Sequence, residues 1–314
     1  MPIPALIITY SRVDGLEKLL NSCIEAGVNR IYVAIDGPKD SKTAEIQAAM
    51  HKVLDKFKNL DEVDIEVWQR EMNLGIAVSV ITAIDWFFKY EASGLILEDD
   101  LVVSPDFFNY VERALKNFES DNQIQLISGN RYDRTKRAFP VQVSYPQTWG
   151  WATWREKWAS IRERVAKEPT LKISHSNRAV QNFWQVGAER VWAGYIDTWD
   201  LLVARAMLLD NKTCLLPPGN LVSNAGNDDF STHTTHDIFP IGFPIQVLNL
   251  EDMYVEQIES AASSEANEFL EKRVFGIRWR HYFLHIYAPI IELRLKKKYE
   301  SGSLSLRLSQ VSIP

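Results

Sequence analysis

The feature that most constrains the fold is a regular alternation of short apolar runs and longer amphipathic segments across the first hundred residues. Four runs have the length and composition of strands, at residues 5–10, 30–35, 63–68 and 94–97. Between them lie three helical patterns, at residues 14–27, 41–57 and 76–90. Strands joined by helices of about a dozen residues are typical of a parallel sheet with right-handed crossovers. The sequence therefore predicts an α/β fold, a Rossmann-like and mostly parallel sheet flanked by helices.

Polar side chains follow each of the four predicted strands. They occupy residues 9–12, Asp36 with Gly37, residues 70–75, and Glu98 with Asp99 and Asp100. Ligands of open parallel sheets bind beyond the carboxyl ends of the strands. We therefore expect all four clusters to meet at one rim. In the first helix, Asp14 is the predicted N-cap with Glu17 three residues on, and Gly27 is the predicted C-terminal glycine.

Several function classes are disfavoured. There is no G-x-G-x-x-G after the first strand, no P-loop, no G-x-S-x-G elbow and no metal-spaced Cys/His set. A formal net charge of −6 argues against an overall electrostatic grip on nucleic acid. Two cysteines, Cys23 and Cys214, suit a reducing compartment. With no apparent signal at the N-terminus, we expect a cytoplasmic protein.

The acidic triplet at residues 98–100 carries the most chemistry. The triplet directly follows a run that is predicted to be a buried strand, so its carboxylates are not expected to be ordinary solvent-exposed side chains. A hard divalent cation, bound by oxygen ligands and sharing its other positions with a diphosphate, fits this placement. The alternative is that Asp99 or Asp100 caps a helix that begins near Ser104.

The segment around the triplet resembles a known family. Residues 95–110 read LILEDDLVVSPDFFNY, which is similar to the metal segment of GT-A glycosyltransferases. The resemblance is to the N-acetylglucosaminyltransferase I type and to bacterial HlpA-like (hemolytic-protein-like) transferases, and it extends over residues 4 to about 236. It implies a GT-A fold, a nucleotide-sugar donor and a Mn²⁺ or Mg²⁺ cofactor.

The resemblance also implies roles for single residues. Asp100 would be the metal ligand, and Glu98 and Asp99 would contact the ribose and the donor sugar. Arg12, with Thr9 beside it, would face the diphosphate. Asp36 would accept from a uracil ring, and Asn73 would contact the nucleotide. From the residues alone, Arg12 could equally form a surface ion pair, Asp36 a turn, and Asn73 a helix N-terminus.

The second half is expected to form the acceptor side. Gly150 and Trp151 lie in an aromatic-dense stretch where the resemblance implies a wall beside the donor sugar, although each tryptophan could be core only. An inverting transferase needs a carboxylate to take the acceptor proton. Asp200 is the predicted base and Asp197 the reserve, and the alternative for both is helix capping. In a polar loop further on, His233 could touch the metal or the diphosphate.

The predicted domains are residues 1–245, with a nucleotide half at 1–110 and an acceptor half at 111–245, and a helical C-terminal extension at 246–314. Residues 272–299 mix aromatic and basic side chains. Such a helix can lie on an anionic membrane surface, giving a peripheral protein at the inner face, or dock on protein.

Together these features predict a metal-dependent, inverting glycosyltransferase. It would move a sugar from a UDP-sugar to a hydroxyl of a glycan or glycolipid, as in polysaccharide biosynthesis. Two rivals remain open. One is a silent sugar-binding module, and the other is a sugar-nucleotide pyrophosphorylase, whose glycine-rich loop the first strand lacks.

Overall fold

A computed structural model of the chain describes residues 3–133, 137–167, 169–225, 245–246, 254–260, 263–292 and 303–314. The first half alternates strands and helices as the sequence predicts. Its elements are β1 Ala5–Thr9, α1 Val13–Glu25, β2 Arg30–Ile35, α2 Ser41–Lys58, β3 Asp64–Gln69, α3 Ile76–Tyr90 and β4 Ser93–Glu98. The central strands are continuous apolar runs because both of their faces are covered by helices.

The second half adds shorter strands and further helices. They are β5 Leu101–Val103, α4 Pro105–Asn117, β6 Ile124–Ser128, β7 Val141–Val143, β8 Trp151–Trp154, α5 Arg155–Ala166, α6 Arg178–Trp192, α7 Asp200–Leu209, β9 Thr213–Leu216 and β10 Val222–Asn224. The C-terminal part contains α8 Ser263–Phe269, a π-helical turn at Leu270–Val274, a 3₁₀ turn at Trp279–Phe283, α9 Leu284–Glu292 and α10 Leu304–Ser309. The helical character predicted for the C-terminal part is confirmed, and residues 272–292 form several short helical segments.

Eight strands form one mixed sheet in the order β3-β2-β1-β4-β8-β6-β9-β7. The first four are parallel neighbours, and β8 enters antiparallel between β4 and β6. In the register, Thr9 lies beside Ile35 and Ile8 beside Glu98. The carboxyl ends of β1, β2 and β4 are therefore level, which brings the loops that follow them to one edge.

Two apolar layers sandwich the sheet. One layer packs α1, α2 and α4 on one face, through residues such as Leu19, Met50 and Phe107. The other packs α3, α5, α6 and α7, and it also takes Leu270 and Leu304 from the C-terminal part. The C-terminal helices thus share the core of the main sheet. The division at residue 245 stays a prediction. Within the described residues, no helix has the length and apolar character needed to cross a bilayer.

The helix ends correct one expectation. Helix α1 begins at Val13, one residue before the predicted cap Asp14, and its N-cap Arg12 makes no capping side-chain hydrogen bond. Gly27 has a φ of 81°, the left-handed conformation expected just after a helix. Ser104 caps α4 by accepting from the Phe107 amide. The acidic triplet is therefore not needed as the cap of that helix.

Candidate functional site

A cavity of about 300 Å³ opens at the carboxyl edge of the parallel strands. Its walls come from the ends of β1 and β4, the loop before α3, the segment before β8, and residues 197–200. The polar clusters at residues 9–12, 73–75 and 98–100 and Asp36 all contribute to it. The predicted convergence at one rim is confirmed.

Asp99, the middle acid of the triplet, makes its hydrogen bonds to other residues of the protein. It is buried, and its Oδ2 accepts from Thr9 Oγ1 at 2.6 Å and from the Tyr10 amide at 3.1 Å. Its Oδ1 lies 3.4 Å from Arg12 Nη1. Asp99 and Thr9 thus tie the loop after β1 to the end of β4. Both line the cavity, but their first role in this geometry is to fix the position of Arg12.

Glu98 and Asp100 flank Asp99 and line the cavity. Arg12 Nη1 lies 3.6 Å from Asp100 Oδ2, and the Asn224 side chain also hydrogen-bonds to Asp100. Burial raises the pKa of Glu98 well above its ordinary value, and the charges of Asp100, Asp99 and Asp200 raise it further. Burial and Asp99 also raise the pKa of Asp100, while Arg12 lowers it. Among the described residues that line the cavity, six are acidic and two, Arg12 and Lys39, are basic.

Two glycines allow this edge to close: Gly37, which follows β2, and Gly15, which no sequence motif had indicated. A Cβ on Gly15 of α1 would lie 1.9 Å from the Asp99 carbonyl oxygen, and one on Gly37 would lie 2.1 Å from the Met72 carbonyl carbon. Gly15 therefore lets α1 pack directly on the acidic triplet. A glycine inside a helical pattern costs about 1 kcal/mol relative to alanine, so its presence there was a readable signal.

Asp36 and Asn73 hold each other. Asp36 accepts from the amides of Gly37 and Leu74 and, through Oδ2, from Asn73 Nδ2 at 3.0 Å. The same Asn73 amide also donates to the Gly37 carbonyl oxygen at 3.0 Å. Burial raises the pKa of Asp36. The pair forms part of the cavity wall, and the Asp36 carboxylate already accepts hydrogen bonds from Gly37, Leu74 and Asn73.

Asp197 and Asp200 have different environments. Asp197 is buried, and its two carboxylate oxygens accept from the Ile76 and Ala77 amides, each at 3.0 Å. It thus caps α3, whose own N-cap Gly75 has no side chain. Asp200 is exposed at the start of α7, and its Oδ1 accepts from the Thr198 hydroxyl and the Leu201 amide. Asp200 Oδ2 accepts no hydrogen bond from the described part of the chain.

In the aromatic-dense stretch, the tryptophan that lines the cavity lies two residues before the predicted Trp151. Trp151 is 1% exposed and stacks on Trp199 with centroids 5.7 Å apart, so it belongs to the core. Gly150 has a φ of 60°, and a Cβ there would meet Val222 and Phe107 rather than a ligand. Trp149 is the tryptophan that lines the cavity at this point. Gly150 and Trp151 are not among the residues that line the cavity, and their roles as substrate contacts stay predictions.

Within the described residues, no three His, Cys, Asp or Glu side chains enclose a space for an ion. His233 lies outside those residues. A cation would therefore depend on Asp100 and on oxygens supplied by a ligand. Carboxylates are the ligand type that Mg²⁺ and Mn²⁺ favour, and Asp100 lines the cavity together with Glu98. The residues present fit a divalent cation held in this shared way.

Comparison with known proteins agrees with the resemblance seen at residues 95–110. A curated relative is the alpha-1,3-mannosyl-glycoprotein 2-beta-N-acetylglucosaminyltransferase of Arabidopsis thaliana, 26% identical over 140 residues. The aligned part is 41% of this chain and 31% of the plant protein, so the chain spans less than a third of that relative.

Similar solved structures are more distant. HddC from Yersinia pseudotuberculosis in complex with GMP-PN is 12% identical, with a TM-score of 0.30 over 49% of this chain and 77% of that one. A putative glucose-1-phosphate thymidylyltransferase from Bacillus anthracis in complex with a sucrose is 12% identical, with a TM-score of 0.31 over 51% and 74%. Likenesses of this size carry no argument about function.

The sequence model of the GNT-I family matches residues 1–158, half of the 314-residue chain. The match covers β1 to β4, the acidic triplet and the aromatic strand β8, which are the elements that build most of the cavity. The chain therefore belongs to the GNT-I family.

Proposed function

We propose that this chain is a metal-dependent, inverting glycosyltransferase that moves a sugar from a UDP-sugar to a hydroxyl of a glycan or glycolipid. The single observation that carries the proposal is the surplus of carboxylates, Glu98 and Asp100, beside one arginine in a cavity at the carboxyl edge of a parallel sheet. Membership of the GNT-I family and the activity named for the Arabidopsis relative support it.

On the donor side, Arg12 and Asp100 would share the diphosphate. Asp100 would hold a Mn²⁺ or Mg²⁺ ion, which when bound neutralises negative charge that builds on the departing diphosphate. Arg12 is positioned by Asp99 and can donate to a phosphate oxygen as a fixed cation. A charged donor set that is already in place needs no reorganisation during the reaction. Asp36 and Asn73 would shape the wall against the nucleotide base.

On the acceptor side, Asp200 would take the proton of the attacking hydroxyl. Its Oδ1 is engaged by Thr198 and Leu201, which holds the carboxylate in one orientation. Its other oxygen would then be available to the acceptor. Trp149 offers a flat apolar wall on which the C–H face of a sugar can pack. Asp197, which caps α3, would not take part in proton transfer.

One carboxylate base acting in a single displacement inverts the anomeric centre. A direct check is the anomeric configuration of the product by NMR. We expect a configuration opposite to that of the donor sugar. A product with the donor's configuration would refute the single-displacement mechanism, although it would leave the transferase activity itself intact.

The nature of the donor is tested by thermal shift with UDP-, GDP- and ADP-sugars, each with and without Mn²⁺. A ligand that binds only the native state raises the melting temperature. We expect a shift with a UDP-sugar that depends on Mn²⁺, followed by UDP release in a turnover assay. Asp100→Ala should abolish this shift. Its matched control is Asp61→Ala, which removes an acid from the turn before β3, at the opposite edge of the sheet. Sugar binding without UDP release would instead favour a silent sugar-binding module.

A further inference from the structure

A patch of exposed apolar side chains, four aromatic and one aliphatic, lies far from the cavity in sequence and shares no residue with its walls. It consists of Trp279, Tyr282, Phe283, Ile286 and Tyr287, which are 79%, 42%, 39%, 54% and 53% exposed. In the described part of the chain, eleven large hydrophobic side chains are exposed, and five of them fall within these nine residues. Scattered exposure of apolar residues is ordinary, but a contiguous patch marks an interaction surface.

The patch is held on a rigid base. Asn182 of α6 donates through Nδ2 to the Tyr282 carbonyl oxygen at 2.7 Å, and Arg178 lies over the Tyr282 ring at 4.9 Å. On the inner side, Ile277 and Ala288 are 8% and 6% exposed within the protein. The backbone that presents the aromatic side chains is therefore docked on α6, and their exposure is not that of an unattached tail.

The charge around the patch is one-sided. Residues 272–283 contain four basic residues and no acid, in a chain whose net charge is −6. Lys272 is paired with Glu268 on α8. Arg278 and Arg280 are exposed beside Trp279, and no carboxylate of the described residues lies within ion-pair distance of either one. The patch therefore combines an apolar centre with unneutralised positive charge.

We infer that this aromatic patch docks on the surface of an anionic phospholipid bilayer. Trp and Tyr side chains sit well at the water–lipid interface because each joins an apolar body to a polar tip. Arginines beside them can keep their guanidinium groups at the level of the phosphates. A second copy of the chain fits less well, because a two-fold interface would bring the same positive surfaces face to face.

The inference is independent of the proposed catalysis, because docking itself is measured by sedimentation and not by turnover; UDP release serves only as an added control. The full-length chain is sedimented with vesicles of phosphatidylcholine alone, and with vesicles in which about a third of the lipid is phosphatidylglycerol. We expect binding to the anionic vesicles that weakens as salt is added, since exposed charges are screened. No binding of the native chain to anionic vesicles at low salt would overturn the inference.

Two variants locate the surface. Arg278→Glu with Arg280→Glu should lower the partition onto anionic vesicles at least about tenfold, since each basic side chain near such a surface contributes to binding. Lys42→Glu with Lys52→Glu on α2 makes the same charge change elsewhere and should leave most of the binding. Equal losses in the two double variants would show that overall charge, and not this patch, governs adsorption.

A second pair of variants tests the apolar side chains of the patch. Trp279→Ser should weaken vesicle binding about tenfold, whereas Leu171→Ser, at a side chain that is 55% exposed outside the patch, should not. UDP release with a short soluble acceptor should be unchanged in both, which also reports correct folding. If the native chain instead forms a dimer that Trp279→Ser dissociates, and does not bind vesicles, the patch is a protein interface and the inference is wrong.

Discussion

Asp197→Asn should destabilise the protein while leaving the proposed base, Asp200, in place. In the native chain both carboxylate oxygens accept from amides at the start of α3, at 3.0 Å, and the side chain is 3% exposed. Asparagine can keep one of these bonds, but its amide group then faces the second N–H. A buried donor left without a partner costs about 1–3 kcal/mol. Loss of the negative charge at a helix N-terminus costs about another 0.3–1 kcal/mol.

These contributions sum to about 1–4 kcal/mol, which corresponds to a melting temperature lower by roughly 2–6 °C for a chain of this size. The assay is thermal denaturation followed by circular dichroism, with urea denaturation as a second measure. Asp40→Asn is the matched control, because Asp40 caps α2 at an exposed site and asparagine is an equally good N-cap. We expect little change there.

The turnover number distinguishes a helix-capping role of Asp197 from a role in proton transfer. Near 20 °C, where the Asp197→Asn variant remains folded, its turnover number should stay within about threefold of the native value. An unchanged melting temperature together with a loss of turnover of about 100-fold would refute the reasoning. In that case Asp197 would act on the substrate, and the capping geometry would be incidental.

Three further substitutions test the neighbouring residues. A glycine-to-alanine change normally stabilises a helix by about 1 kcal/mol. Gly15→Ala should instead lower the free energy of unfolding by about 1–3 kcal/mol in urea denaturation, because its Cβ would meet the Asp99 carbonyl oxygen. A gain in stability would contradict the close packing. Asp200→Asn should lower the turnover number about 100-fold or more with little change in UDP-sugar affinity, and a variant of native turnover would leave the reaction without this base. Glu98→Gln should stabilise the metal-free protein near pH 8: the raised pKa means that the native state holds its proton more tightly than the unfolded chain, so stability falls as pH rises above about 4.5. The gain, followed by urea denaturation with EDTA, should vanish near pH 4, and a loss of stability at pH 8 would show that the carboxylate is stabilising.

The parallel half of the sheet could be predicted because its strands are buried on both faces and therefore read as unbroken apolar runs. The strands β5, β7 and β10 have three residues each, too few for a period to show. Strand β8 contains the aromatic residues that suggested a ligand wall, and nothing local indicates that it inserts antiparallel beside β4. The order of the strands in the second half is set by packing over long sequence distances.

The site divides in a similar way. The position of the acidic triplet follows from the strand that precedes it, so its place at the rim was predictable. The different roles of the three acids could not be predicted, because the hydrogen-bond partners of Asp99 lie about 90 residues away, in β1 and the loop after it. Asp197 caps a helix that starts 121 residues earlier. Such contacts depend on tertiary geometry, which no local pattern of residues encodes.

In the proposed mechanism, Asp100 and a divalent cation together bind the diphosphate of UDP in the cavity. The most direct measurement is isothermal titration of UDP into the protein with Mn²⁺ and with EDTA, for the native chain and for Asp100→Ala, with Asp61→Ala as the charge-matched control. We predict binding that requires Mn²⁺ in the native chain and in Asp61→Ala, and its loss in a folded Asp100→Ala protein. Undiminished, Mn²⁺-dependent UDP affinity in Asp100→Ala would contradict the claim, as would native affinity that is the same in EDTA.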